Sequence, residues 1–183
     1  MLFGIVMKLD NILKQQEKLN KDGKFSTINR ETGHFIHLLI KMKNPKKVLE
    51  IGTSIGYSSL WIASALSKKS ELITLERWQE RAKIASKFFK KTKLKIRFLE
   101  GDALKLIPKM KTKFDAVFID ATKNEYLKYL KILLETNQLN TNCLVIADNT
   151  ISHANKMQDF LNFAEKKKAV TAEIGKGVTF FRI

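Results

Sequence analysis

Two short motifs in this chain each end an apolar run on an acid. One is FIDATKNEY, Phe118 to Tyr126, and the other is VIADN, Val145 to Asn149. Both read as strands that stop at a carboxylate. In open α/β sheets, ligands bind just beyond the carboxyl ends of the strands. Asp120, Asp148 and Asn149 would then converge as three oxygen ligands, with Lys123 one helical step away. An all-oxygen set suits a hard cation such as Mg²⁺. A cation beside a lysine is a device for deprotonating a hydroxyl group.

A third stretch, VLEIGTSIGYSS (Val48 to Ser59), lies between a strand and a helix. Gly52 and Gly56 would let its backbone turn tightly and approach a ligand closely. The spacing G-x-x-x-G matches neither the pyrophosphate fingerprint of NAD binding nor a phosphate-cradling loop that ends in Lys-Ser or Lys-Thr. Glu76 ends the next strand, where an acid can accept hydrogen bonds from both hydroxyls of a ribose. Asp102 ends the one after and is placed to read an adenine. One such acid could be a solvated strand end. Acids closing four strands in turn point to a ligand site.

The elements that must position these residues follow from periodicity. Apolar runs alternate with amphipathic stretches, which predicts βαβ units and a parallel sheet. Leu9, Ile12, Leu13, Gln16 and Leu19 give a weak first helix, which Gly23 breaks; a second runs from about Asn29 to Met42, before Pro45. Strands are expected at Lys47–Ile51, Glu71–Leu75, Lys95–Leu99, Phe114–Ile119 and Leu144–Ala147. Helices are expected from Tyr57 to Leu66, around Arg81 to Lys91, from Tyr126 to Leu134 and from Ala154 to Ala164. Two β-rich pieces around Gly175-Lys176-Gly177 signal a closing hairpin. His34 and His37, one turn apart, could hold zinc; no third ligand is evident, and packing is the better reading. Trp61 reads as core, and Tyr57 and Trp61 are alternatively candidates for a pocket wall.

The chain has 183 residues, of which 44% are hydrophobic, enough for one domain with a sizeable core. Cys143 is the only cysteine and sits in an apolar run, so core packing in a reducing, cytoplasmic setting is expected. The opening MLFGIVM is too short to span a bilayer and lacks the marks of a signal peptide; it reads as a packing segment or a dimer contact. The net charge is +16, but only five of the 34 basic residues are arginine. Arginine is the usual reader of phosphates and base edges. The charge therefore permits an anionic partner without specifying one.

Taken together, VLEIGT-x-x-GYS, Glu76, Gly101-Asp102-Ala103, FIDA-x-K-x-x-Y and Asp148-Asn149 resemble the cation-dependent O-methyltransferases of the catechol and caffeoyl-CoA type. These fall within the class I S-adenosylmethionine-dependent methyltransferases. The resemblance covers about Thr27 to the C-terminus. It implies an α/β, Rossmann-like fold with a seven-stranded, mostly parallel sheet in the order 3-2-1-4-5-7-6, helices on both faces and a C-terminal antiparallel hairpin. It implies a single domain over residues 1–183, with a helical segment 1–44 before the core 45–183. Glu50, Gly52 and Ser58 would contact the methionine end of the donor. Glu76 would hold its ribose, Asp102 and Ala103 would border its adenine, and Ile28 and Asp120 would also lie against it. Asp120, Asp148 and Asn149 match the metal ligands, for Mg²⁺ or another divalent cation such as Mn²⁺ or Ca²⁺. Lys123 matches the general base, so Lys123 and Asp120 are the expected catalytic pair.

Three departures bear on the acceptor. The segment after Asn149 is short where the family has an insertion, the final turn reads Gly-Lys-Gly where the family has Gly-Asp-Gly, and the N-terminal region is short. The expected acceptor is a small molecule with a hydroxyl beside a second oxygen, as in a catechol, handled by a homodimer with no membrane contact. The alternative is tRNA carrying 5-hydroxyuridine. A non-catalytic nucleotide-binding module and a nicotinamide oxidoreductase rank lower.

Overall fold

The computed structural model describes residues 2–183, with side chains from Leu9 onward. The proposed packing of MLFGIVM concerns side chains outside the described residues. Seven strands form one sheet in the order β3-β2-β1-β4-β5-β7-β6. β1 (Lys47–Ile51), β2 (Glu71–Glu76), β3 (Ile96–Glu100), β4 (Phe114–Ile119) and β5 (Leu139–Asp148) are parallel. β7 (Val178–Arg182) runs antiparallel to β5, and β6 (Val170–Ala172) antiparallel to β7. The fold expected from the sequence is therefore the fold observed.

Side chains alternate across a strand, so one strand feeds two cores. Leu49, Ile51, Val117, Ile119, Val145 and Ala147 point to one face. There they meet Tyr126, Tyr129, Leu130 and Leu133 of α6 (Tyr126–Glu135) and Phe160 and Ala164 of α7 (Gln158–Lys166). Val48, Ala116, Phe118, Leu144 and Ile146 point to the other. This second core receives α1 (Leu2–Leu19), α2 (Arg30–Lys43), α3 (Tyr57–Ala65) and α4 (Gln79–Phe89). Burying a leucine such as Leu130 or Leu133 contributes roughly 1.5–3 kcal/mol. Cys143 is fully buried in β5, where burial pushes its thiol up to about 12. None of the described helices is long and apolar enough to cross a membrane.

Three local expectations need correction, and one short helix was not expected. α1 ends at Leu19 rather than at Gly23, because the Asn20 side chain ties down the next loop. Its Oδ1 accepts from Phe25 N at 2.7 Å and its Nδ2 donates to Thr27 Oγ1 at 2.9 Å. β5 begins five residues earlier than expected, since polar Asn140, Thr141 and Asn142 enter the strand behind an irregular pairing with β4. The short helix α5 (Ala103–Leu106), capped by Asp102, escapes a periodicity argument because it is one turn long. The helix expected from Ala154 begins as a separate 3₁₀ turn before α7.

Candidate active site

The loops after β1, β2, β3 and β4 are held together by bonds that continue the strand ladder past its end. Gly52 N and Thr53 N donate to Leu75 O at 3.0 and 3.1 Å, Gly101 N donates to Glu76 O at 2.8 Å, and Asp120 N donates to Ile51 O at 2.9 Å. Gly52 has φ of 102°, and a Cβ there would meet the Asp120 carbonyl oxygen at 2.1 Å. Only glycine lets the first loop lie this close to the FIDA turn.

These loops enclose a cavity of about 290 Å³. Glu76, Asp102 and Ala103 line one end, Asp120, Lys123 and Asn149 the other, and Gly52 lies between them against Asp120. Glu76 accepts from Ser54 N at 2.7 Å and Trp78 N at 2.8 Å. A carboxylate has about four lone-pair sites, so Glu76 keeps acceptor capacity for two further hydroxyls. Asp102 spends one oxygen capping α5 through Leu104 N at 2.9 Å.

Glu50, Ser58, Ile28 and Asp148 are buried around the cavity instead of lining it. Glu50 accepts from Ser58 Oγ and Thr74 Oγ1, both at 2.5 Å, and from Ser59 Oγ. The Thr74 proton is thereby committed, so Thr53 Oγ1, 2.6 Å away, donates to Thr74. Burial pushes Glu50 up to about 7 against the lowering effect of its three hydroxyl partners.

At the other end, Lys123 Nζ donates to Asp120 Oδ1 at 2.7 Å and to Tyr126 Oη at 3.0 Å. Tyr126 Oη donates to the Asp148 carbonyl at 3.2 Å, and burial holds its phenol well above the usual range. Lys123 therefore sits in a 3₁₀ turn braced by a buried tyrosine, not on an open helix face. Asn149 has φ of 65°, and its Nδ2 donates to Asp148 Oδ2 at 2.8 Å. The Asn149 carboxamide oxygen is left as an acceptor. Asp148 Oδ1 is buried with no partner. Burial, then the neighbouring Asp120 carboxylate, pushes Asp148 up to about 7.

A buried carboxylate oxygen without a partner is costly unless something else occupies it. Two carboxylates and a carboxamide are hard oxygen donors, the kind that suits a divalent cation. Among the described residues no three His, Cys, Asp or Glu side chains gather at one point; the set here reaches three only by counting Asn149. His34 and His37 pack on Trp61, with ring centroids 4.4 and 6.3 Å away. Trp61 is core and touches Gly33, where a Cβ would meet its ring at 2.4 Å. Tyr57 is also buried, its hydroxyl donating to Glu17 Oε1 at 2.5 Å.

Several lining residues were not anticipated. Arg77, Trp78 and Arg81 flank the Glu76 end, and His153 and Lys176 the Asn149 end. The signal for Arg77 and Trp78 was available, since they directly follow a strand-ending acid, and Arg81 lies in the first turn of the helix after them. The Gly-Lys-Gly turn marked Lys176 as a departure, but it reaches the cavity only because β7 returns beside β5.

The chain matches the family of O-methyltransferases over residues 5–178. It is 34% identical to a catechol O-methyltransferase from Niastella koreensis, over 68% of this chain and 58% of that protein. It is 34% identical to caffeoyl-CoA O-methyltransferase 2 from Petunia hybrida, over 68% of this chain and 54% of that protein. The chain thus spans little more than half the length of these relatives. Its fold is shared with the O-methyltransferase TomG from Streptomyces achromogenes, solved in complex with S-adenosylmethionine. That likeness has a TM-score of 0.79 and 22% identity, and covers 94% of this chain and 89% of the other.

Proposed function

The chain belongs to the O-methyltransferase family, and from that premise we propose an O-methyltransferase dependent on S-adenosylmethionine and a divalent cation. Its acceptor is a small molecule whose reacting hydroxyl has a second oxygen beside it. The observation that carries this reading is the unpartnered Asp148 Oδ1, buried beside Asp120 and Asn149 at the cavity end that holds Lys123.

The donor supplies an electrophilic methyl group: the acceptor oxygen forms the new O–C bond as the S–C bond breaks, and its electron pair stays on sulfur. Asp120, Asp148 and Asn149 would hold the cation, which would supply positive charge to favour an ionised acceptor oxygen. The protein's remaining task is position. Glu76 receives the ribose hydroxyls with its spare lone pairs, and Asp102 and Ala103 border the base. Gly52 admits the donor's methionine end, with Glu50, Ser58 and Ile28 buried around the cavity. Lys123 Nζ, 2.7 Å from Asp120 Oδ1, is the group placed to take the hydroxyl proton. Tyr126 holds the lysine's direction through the 3.0 Å bond.

The test is transfer of labelled methyl from S-adenosylmethionine onto a small-molecule extract and onto bulk RNA in parallel, each with and without EDTA. Transfer to small molecules that EDTA abolishes is expected. Asp148→Asn and Lys123→Ala should each lose roughly a hundredfold or more in turnover with an unchanged circular dichroism spectrum. Wild-type rates in both variants would refute the assignment. An RNA acceptor is the second reading, supported by the net charge of +16 and by Arg77 and Arg81 at the cavity. It predicts label in RNA and binding that weakens steeply with salt.

A further inference from the structure

The Asn149 end of the cavity has a wall that the proposed chemistry does not use. The turn before β7 is pinned to the segment after Asn149 by three backbone bonds. Thr150 N donates to Gly177 O at 3.0 Å, and Ile151 N and Ser152 N both donate to Lys176 O at 3.1 Å. Gly177 has φ of 91°, and a Cβ there would meet Ile151 Cγ1 at 2.4 Å, so only glycine allows this approach. His153 N donates back to Asn149 O at 3.0 Å. The result is a fixed backbone frame that sets Lys176 and His153 at the cavity beside Asn149.

Lys176 makes no ion pair among the described residues. The acids that line the cavity are Glu76, Asp102 and Asp120. The first two lie at the far end, below β2 and β3, and Asp120 is already paired with Lys123. His153 is flanked by Lys123, Lys156 and Lys176, whose charges, after burial, hold its imidazole below the usual range. Lys176 is therefore the cation that this wall presents to the cavity, with the His153 ring beside it. The arginines of the cavity, Arg77 and Arg81, are at the opposite end, so a phosphate fork is absent here.

We propose that the acceptor carries a carboxylate on a side arm, and that Lys176, with His153 beside it, receives that carboxylate. The inference rests on the small-molecule reading of the same cavity and narrows it to an anionic acceptor. Lys176 acts by charge and is a specificity-determining residue; the proton and methyl transfers are left to the groups at Asp120.

The test uses three catechols that differ in the end of a two-carbon arm: 3,4-dihydroxyphenylacetate, 3,4-dihydroxyphenylethanol and dopamine. Their affinities are measured by calorimetry with Mg²⁺ and S-adenosylhomocysteine present, and their kcat/KM values with S-adenosylmethionine. The acid should bind about tenfold tighter than the amine, with the alcohol between them. Lys176→Gln should remove the acid's advantage over the alcohol, and Lys176→Glu should turn the preference toward dopamine. Lys176 is exposed on a turn, so both variants are expected to fold. Equal affinities across the series, no binding of any member, or a preference for the acid that survives Lys176→Glu would each overturn the proposal. Binding in the expected order without methyl transfer would uphold it while refuting the proposed reaction.

Discussion

Glu50 is a carboxyl group with no access to water, and that fact has a measurable consequence. Its three hydroxyl partners come from β2 and the first turn of α3, so one side chain ties β1, β2 and α3 together. Burial raises its folded pKa from 4.5 to about 7. The folded state therefore holds a proton that the unfolded state has released in this window. Stability from this group is fully present below pH 4.5 and is lost as pH rises through 7. The total is on the order of 3 kcal/mol. Replacing the group with an amide removes the titration, so Glu50→Gln should flatten the fall in melting temperature between pH 4.5 and 7. A wild-type curve with no such fall, or a variant that keeps it, would contradict the assignment. Sequence reading could place Glu50 beside the donor loop, but its partner Thr74 is 24 positions away and becomes visible only once β1 and β2 pair.

At the scale of elements, α1 is the back wall of the loop from Gly52 to Gly56. Gln16 is fully buried and its Nε2 donates to Ile55 O at 2.7 Å, inside the turn between Gly52 and Gly56. Glu17 accepts from Tyr57 Oη and from Arg30 Nε at 3.0 Å, which fastens α1 to α3 and α2. A glutamine among leucines weakens the apolar stripe of α1, which made the helix look marginal; its polarity is used to satisfy a buried carbonyl. Gln16→Leu should cost about 1–3 kcal/mol, since it leaves Ile55 O buried without a donor. It should also weaken S-adenosylhomocysteine binding by loosening the loop. Thermal melts and calorimetry measure the two effects, and an unchanged donor affinity would show that α1 does not support the loop.

At the scale of the molecule, the charge of +16 is spread over lysines on nearly every element. Most face solvent, and the five ion pairs found among the described residues relieve little of the repulsion. A compact body with this excess repels itself, and salt screens that repulsion over a Debye length of about 10 Å at 0.1 M. The melting temperature should therefore rise by a few degrees between low salt and about 0.3 M NaCl. A fall over that range would mean that attractive pairs outweigh the excess. The same charge made nucleic acid a reasonable partner from the sequence, yet the cavity distinguishes its two ends, with arginines by Glu76 and lysines by Asn149. That distinction depends on direction and cannot be drawn from a sum of charges.

The sheet was legible because its strands are short apolar runs that end on acids and alternate with amphipathic helices. Those patterns follow from local periodicity and from burial on both faces. Asp120, Lys123, Asp148 and Asn149 were legible for the same reason, since strand ends in a parallel sheet share one rim. Tertiary structure alone decided what each group faces. It placed Tyr126 behind Lys123, left Asp148 Oδ1 without a partner, buried Glu50 under three hydroxyls and brought Lys176 to the cavity on a returning hairpin. Periodicity assigns a residue to a face; its partners come from chain segments tens of residues away and are set by strand order and register.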